Sequence, residues 1–205
     1  MSVEPLLIAT RSAGKLRELR ELFGRADIAI VDLTEAGIAP SEAEESLESA
    51  DTFEENALAK ARYFARIARR AVVADDSGLE VAALGGRPGV RSKRWSGRAD
   101  LTGAALDAAN NARLVDELRG LTSRAARYVC VAALVDGEVE RTFRGTTSGV
   151  ILDEPRGGEG FGYDPYFFSD ELQMTFGEAS LAEKEGVSHR GRAFRALVGA
   201  LAPRR

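Results

Sequence analysis

Short apolar runs alternate with longer amphipathic stretches in the first half of the chain. Residues 6–9, 28–31 and 71–74 are too short for helices and are rich in aliphatic side chains, so they predict buried strands. Between the first two runs, apolar residues at helical spacing share one face and predict a helix: Leu16, Leu19, Leu22 and Phe23. A capping box, Thr52 with Glu55, predicts a second helix that ends near Arg69.

The second half of the chain has a different pattern. Apolar and polar side chains alternate in parts of residues 127–135 and 139–143. These two segments flank Asp136-Gly137, which is a strong hairpin signal. We expect the sheet to continue to residue 151 with breaks at its glycines, Gly145 and Gly149. Helices are predicted over 102–118, after the Ser180 capping box, and from Ser188 onward. The βα start and the alternating second half together predict a mixed α/β (α+β) fold.

One acidic segment follows the apolar run 71–74. We expect the strand to end there, with Asp75 and Asp76 not both facing the core and Gly78 allowing a turn after Ser77. Two adjacent carboxylates repel unless a lysine, a divalent cation or a substrate-bound metal lies beside them. The segment therefore indicates either a polar turn, in which Asp75 and Ser77 satisfy backbone groups, or a metal-assisted site.

Two lysines are candidates for phosphate binding. Residues Thr10 to Lys15 connect a strand to a helix, and the first N–H groups of such a helix point at the loop. The loop is not a Walker A loop, because the first glycine is missing and Leu16 replaces the hydroxyl. Lys60 lies one turn after Asn56 and is placed to bind a phosphate or to pair with Asp75. The alternatives are a plain βα turn and an exposed lysine on an amphipathic helix.

A glycine-rich loop, residues 157–165, carries two aromatic side chains and a carboxylate, Asp164. Rings on such a loop suit stacking on a planar ligand, with Asp164 reading a polar edge; alternatively the rings fold back on the core. Lys184, His189 and Arg190 cluster near a helix start, which favours anions and purines. A lone histidine at such a position is more often structural than catalytic.

Composition narrows the class of protein. The 205 residues carry 28 basic and 32 acidic side chains with both signs well mixed, which argues against nucleic-acid binding and against a basic membrane face. No apolar run is long enough to span a bilayer, and no signal peptide is recognisable. Cys130 is the only cysteine, so an internal disulfide is excluded and a buried strand thiol is expected. We expect a soluble, cytoplasmic protein in which residues 1–205 form one large domain or two lobes that share a core.

Five motifs together resemble those of the inosine triphosphate pyrophosphatase family, in the family's order and from Ala9 to Phe194. They are Ala9-Thr10-x-x-x-Gly14-Lys15, Thr52-Phe53-x-Glu55-Asn56-Ala57-x-x-Lys60-Ala61, Ala74-Asp75-Asp76-Ser77-Gly78-Leu79, Gly160-Phe161-Gly162-Tyr163-Asp164-Pro165 and Ser188-His189-Arg190-Gly191. The resemblance implies an elongated mixed central sheet with flanking helices, two lobes around a nucleotide cleft, and a homodimer. It also implies Mg²⁺-dependent hydrolysis of dITP, ITP, XTP and dXTP to the monophosphate and pyrophosphate.

The resemblance also implies roles for matching residues. Asp76 resembles the general base and, with Glu48, a Mg²⁺ ligand, while Asp75 and Lys60 resemble its close catalytic partners. Ser77 resembles a substrate contact. The remaining matches resemble contacts to particular parts of the substrate: for the triphosphate Thr10, Arg11, Ser12, Ala13, Gly14 and Lys15, for the base and sugar Phe161, Gly162, Tyr163 and Asp164, and for the 6-oxo edge and the phosphates Lys184, His189 and Arg190.

Two positions depart from the family's pattern, and two other functions stay open. Ser12 stands where the family usually has Asn, which implies a shorter-reaching or water-mediated bond to the triphosphate. Glu48 is preferred over Glu44 and Glu45 by its distance from Thr52 alone. A haloacid-dehalogenase-like phosphatase also uses an aspartate after a strand, but it requires Asp-x-Asp. A non-catalytic nucleotide sensor on the same scaffold is the third hypothesis.

Overall fold

A computed structural model describes residues 4–201 of the chain. Its strands are β1 (Leu6–Ile8), β2 (Ile30–Asp32), β3 (Val72–Val81), β4 (Ala125–Asp136), β5 (Val139–Ile151), β6 (Phe167–Ser169) and β7 (Met174–Thr175). Its α-helices are α1 (Ala13–Arg25), α2 (Phe53–Ala68), α3 (Gly103–Glu117), α4 (Leu181–Val187) and α5 (His189–Leu201). No helix in this described part is long and apolar enough to cross a membrane.

The strands form one mixed sheet in the order β2-β1-β3-β4-β5-β6-β7. β1 pairs in parallel with both β2 and β3, because helices α1 and α2 connect these strands. β5 pairs antiparallel with β6 across the long connection that carries the glycine-rich loop, and β6 pairs antiparallel with β7 through a short one. The sheet and its flanking helices confirm the mixed α/β fold that the two halves of the sequence predict.

Two predictions about strand ends are wrong. β3 does not stop before Asp75 but continues through the acidic segment to Val81. The strand continues because Leu79 and Val81 are fully buried and extend its apolar pattern, while buried polar partners surround the carboxylates. β5 is likewise unbroken at its glycines; at Gly149 a Cβ would lie 2.2 Å from the Phe168 carbonyl oxygen, so the glycine permits close pairing with β6.

The described chain divides into two compact units. The first consists of residues 4–76, 130–145 and 190–201, and the second of residues 77–129 and 146–189. The core of the first unit is built from β1, α1, β4 and α5 side chains such as Leu19, Phe23 and Phe194. The core of the second unit contains Trp95, Tyr128 and Phe167. The single two-lobed domain stays a prediction.

The helix starts that the sequence predicts carry functional residues. Ser12 caps α1 by accepting a hydrogen bond from the Lys15 N–H, and Thr52 caps α2 in the same way from Glu55. Ser180 and Glu183 form the predicted capping box of α4, which carries Lys184. Cys130 is fully buried in β4, as expected.

Candidate active site

The first unit contains a buried carboxylate surrounded by cations. Asp75 is 2 % exposed, and its Oδ2 lies 3.0 Å from Lys15 Nζ and 3.4 Å from Arg190 Nε. Lys60 Nζ donates to the backbone oxygen of the same residue at 2.9 Å and also contacts the Glu48 carboxylate. β3, α1, α2 and α5 thus bring four residues of the predicted site together.

The neighbouring carboxylate, Asp76, has a different environment. Asn56 Nδ2 donates to its Oδ2 at 2.9 Å, and the residue is 5 % exposed. Burial raises the pKa of Asp76 above its ordinary value, and the Glu48 carboxylate adds to this rise, although Lys15 and Lys60 oppose it. A carboxylate with a raised pKa is a better proton acceptor than an ordinary aspartate.

The pKa of Asp75 moves in the opposite direction. Burial alone would raise it, but the charges of Lys15, Arg190 and Lys60 outweigh burial and hold the pKa well below its usual range. In turn, burial alone would lower the pKa of the Lys15 ammonium, but Asp75, Glu48 and Asp76 together raise it above its usual value. Asp75 therefore stays ionised and fixes the cations, whereas Asp76 has the properties of a base.

Glu18 belongs to this cluster, and the sequence analysis missed it. It is buried on α1, where its Oε2 accepts a hydrogen bond from Arg190 Nη1 at 2.6 Å. With burial opposed by Glu18 and Asp75, the pKa of Arg190 is raised. The available signal was the position of Glu18 one turn after Lys15, beside the apolar face of α1.

The loop before α1 has its own hydrogen bonds. Ser12 N donates to Thr10 Oγ1 at 3.2 Å, and Lys15 N donates to Ser12 Oγ at 3.3 Å. Ala13 and Gly14 form the first positions of α1. Arg11 does not join these bonds but turns to Glu44, where its guanidinium donates to both carboxylate oxygens at 2.8 and 3.1 Å.

Two carboxylates of the first unit fit a divalent cation. Glu48 lies close enough to Asp76 to raise its pKa, whereas Glu44 is bound to Arg11. Proximity to Asp76 favours Glu48 over Glu44 as the metal ligand, and Glu48 also contacts Lys60. Among residues 4–201, no group of three or more His, Cys, Asp or Glu side chains is arranged to hold a metal. Mg²⁺ commonly binds one or two carboxylates plus substrate phosphates, so the pair is sufficient for it.

The second unit contains a separate polar cluster centred on Asp164. Lys184 Nζ lies 2.6 Å from Asp164 Oδ2, and both residues are almost completely buried. The same oxygen accepts the Phe161 N–H at 2.8 Å, and Tyr128 OH donates to Oδ1 at 3.3 Å. Asp164 therefore fixes the glycine-rich loop from inside and orients the Lys184 ammonium.

The aromatic residues of this loop have different positions. Tyr163 is buried and donates its hydroxyl to the Ser92 carbonyl at 2.8 Å, so this ring folds back on the core. Phe161 is half-buried, with Lys184 Nζ 5.0 Å from its ring centroid. His189 stacks on Tyr128, with ring centroids 4.4 Å apart and planes inclined by 6°.

Two predicted contacts lie near these groups in the chain. Ser77 is half-buried within β3, directly after Asp76. Gly162 has a φ of +62°, a conformation that glycine adopts without steric cost. Tyr128 was missed as a site residue; its position in an alternating strand gave no signal beyond burial.

A mixed sheet with half-buried lysines and a buried arginine around paired carboxylates is typical of an enzyme that acts on an anionic, phosphorylated substrate. The chain belongs to the Ham1 family, whose model matches residues 6–200. This membership confirms the family resemblance found in the motifs.

Relatives and a solved structure support the same family over nearly the full length. The chain is 49 % identical over 203 residues to a dITP/XTP pyrophosphatase of Mycolicibacterium paratuberculosis, covering 97 % of this chain and 96 % of the relative. It is 47 % identical over 196 residues to a dITP/XTP pyrophosphatase of Frankia alni, covering 94 % and 95 %. A HAM1 protein structure from Coxiella burnetii matches with a TM-score of 0.84 and 34 % identity, covering 98 % and 100 %.

Proposed function

We propose that this protein hydrolyses non-canonical purine nucleoside triphosphates, dITP, ITP, XTP and dXTP, to the monophosphate and pyrophosphate. The observation that carries the proposal is the pair of adjacent buried carboxylates with opposite pKa shifts, Asp75 and Asp76, among Lys15, Lys60 and Arg190. The dITP/XTP pyrophosphatases to which the chain is about half identical support the choice of substrate.

The first unit binds the triphosphate in this proposal. Lys15 and Lys60 supply positive charge, and the first N–H groups of α1 point at the loop that Thr10 and Ser12 shape. Arg190 adds charge while Glu18 and Asp75 keep its guanidinium in place. Arg11 is placed beside Glu44, so its role is the weakest of the triphosphate contacts.

Asp76 is the general base in this proposal. It accepts a proton from a water molecule, whose oxygen bonds to phosphorus as the anhydride bond between the α and β phosphates breaks. Pyrophosphate leaves with the bonding electrons. Mg²⁺, held by Glu48 and Asp76 when bound, supplies charge neutralisation and a more acidic water. Asp75 remains ionised and keeps Lys15 and Arg190 in place, because its pKa is well below its usual value.

The second unit selects the base. Lys184 and His189 provide donors for the oxygen at C6 of inosine or xanthine, and the Phe161 ring with Gly162 forms a stacking surface. Adenine presents an amino group at C6, which leaves such donors without an acceptor. Ser77 contacts the same substrate. Asp164 and Tyr163 act within the protein, the first by holding Lys184 and the second by anchoring the loop.

We further propose that the enzyme acts in the cytoplasm as a homodimer on free nucleotides, without a nucleic-acid or membrane partner. The mixed surface charge, with a net charge of −4, supports a small-molecule substrate over nucleic acid.

Product analysis tests the proposed function. ITP, XTP, GTP and ATP are each incubated with the protein and Mg²⁺, and ³¹P NMR identifies the phosphorus products. We expect pyrophosphate and monophosphate from ITP and XTP, with much slower turnover of ATP. Orthophosphate and the nucleoside diphosphate as products would instead support an ordinary phosphatase. Tight ITP binding without product over hours would support a nucleotide sensor.

A further inference from the structure

Helix α3 holds the backbone of Gly162 on both sides of its Cα. Asp107 Oδ2 accepts the Gly162 N–H at 2.8 Å, and Asn111 Nδ2 donates to the Gly162 carbonyl oxygen at 2.8 Å. The two side chains are four residues apart and therefore share one face of the helix. The two peptide units that flank the Gly162 Cα are thus held, the first through its N–H and the second through its carbonyl oxygen.

The fixed peptide lies where the loop has the most conformational freedom. Gly160 and Gly162 both have positive φ values, +76° and +62°. Glycine loses more conformational entropy on folding than any other residue, so a loop with two such glycines needs external contacts to keep one conformation. Asp164 provides such contacts to Phe161, whose N–H donates to Asp164 Oδ2 at 2.8 Å and whose carbonyl oxygen accepts the Asp164 N–H at 3.2 Å. The contacts from α3 complete the restraint.

The restraint acts on both aromatic residues of the loop. Gly162 separates Phe161, whose ring lies below the Lys184 ammonium, from Tyr163, whose hydroxyl is bound to Ser92. Rotation about the backbone dihedral angles of Gly162 would therefore move Phe161, because Tyr163 is anchored in the core. The Asp107 charge also helps burial to raise the pKa of Tyr163, which is consistent with a position close to this ring.

We propose that Asp107 and Asn111 are positioning residues for substrate recognition. They hold Phe161 in place by fixing the N–H and the carbonyl group of Gly162. The inference rests on the proposed function, in which Phe161 stacks on the purine. Neither residue touches the substrate. Their loss weakens binding of the base and leaves the chemical step nearly unchanged, because the proposed base Asp76 and its neighbour Asp75 are held by other contacts.

Kinetics of single variants test the proposal. Asp107→Ala and Asn111→Ala are each expected to raise KM for ITP about tenfold, which corresponds to about 1.4 kcal/mol, with kcat within about twofold of the wild-type value. Asp107→Asn retains an oxygen that can accept the Gly162 N–H, so it is expected to restore KM to near wild type. Asp116→Ala is the matched control, since Asp116 lies on the same helix and pairs only with the exposed Arg119.

Hydrogen exchange provides a readout that does not depend on activity. The segment 160–165 is expected to exchange faster in Asp107→Ala and Asn111→Ala than in the wild type and Asp116→Ala, at equal global stability. The double variant is expected to raise KM by less than the product of the single effects, because both residues restrain the backbone of the same glycine.

Three results would overturn the proposal: unchanged KM in both alanine variants, a loss of kcat with unchanged KM, or unchanged exchange in segment 160–165. Failure of the proposed function is a separate outcome. It would appear as a wild-type protein that forms no pyrophosphate from ITP, whatever the exchange of the loop.

Discussion

Replacing Asp75 with asparagine removes the charge that organises the first unit. The asparagine preserves the shape of the side chain, so the change is electrostatic. Lys15 and Arg190 are nearly buried and keep their charges, since Asp75 raises the pKa of Lys15 and the pKa of Arg190 lies above its already high usual value. The variant therefore leaves two buried cations with one fewer counter-charge, and we expect a large loss of stability at neutral pH.

The distances set the size of the effect. At an effective dielectric constant of about 20, unit charges separated by 3.0 Å (Lys15) and 3.4 Å (Arg190) attract Asp75 by about 5 kcal/mol each. Desolvation of the three ions offsets much of this attraction, and Glu18 still neutralises Arg190 in the variant. Removing one partner of a buried ion pair typically costs about 3–5 kcal/mol, which is our expectation for Asp75→Asn.

The pH dependence gives the prediction a second test. The pKa of Asp75 is lower in the folded state than the value of about 3.9 expected for an unfolded chain. Its stabilisation is therefore complete above the unfolded pKa and is lost as pH falls through the folded pKa. The difference in stability between wild type and Asp75→Asn should be largest at pH 7 and should shrink below about pH 4.

Urea unfolding at several pH values measures this difference. Asp116→Asn is the matched control, because its partner is the exposed Arg119 and its effect should stay within about 0.5 kcal/mol. A cost below about 1 kcal/mol for Asp75→Asn at pH 7 would contradict the assigned network. A difference that grows as the pH falls would contradict the direction of the Asp75 pKa shift.

Three further predictions follow from the site. In the metal-free protein followed by ¹³C NMR, the pKa of the Asp76 carboxyl should lie above the usual value for aspartate, about 3.9, because burial and Glu48 raise it; a value at or below about 3.9 would refute this environment. Lys184→Met should reduce the ratio of kcat/KM for ITP to that for ATP about tenfold or more, as expected when a specificity donor is lost, and an unchanged ratio in a folded variant would exclude Lys184 from base recognition. Removal of divalent cations with EDTA should abolish turnover and excess Mg²⁺ should restore it, whereas full activity in EDTA would exclude the metal-assisted mechanism.

Local signals predicted much of the secondary structure. Capping residues located the starts of α2 and α4, apolar spacing located α1, and Asp136-Gly137 located the β4–β5 hairpin. These signals work because the hydrogen bonds involved connect residues two to four positions apart in the chain. The motif order then indicated the family, which predicted the mixed sheet.

Long-range contacts explain what the sequence could not predict. In the sequence, Asp75 and Asp76 resemble the end of a strand. In the structure they lie inside β3, because Lys15, Arg190 and Asn56 from three helices supply them with polar partners. Glu18 and Asp107 resemble ordinary helix-surface acids until the structure shows Arg190 and the Gly162 peptide beside them. Tyr163 appeared as available for stacking as Phe161, and only its bond to Ser92 distinguishes the two rings.

Comparing turnover of ITP by the wild type and Asp76→Asn tests the central claim most directly. Asparagine cannot accept the proton from water, so kcat should fall about 10²- to 10⁴-fold, while urea unfolding shows an intact fold. The exposed Asp116→Asn control should retain wild-type turnover. A folded Asp76→Asn protein that releases pyrophosphate from ITP at close to the wild-type rate would contradict the assignment of Asp76 as the general base.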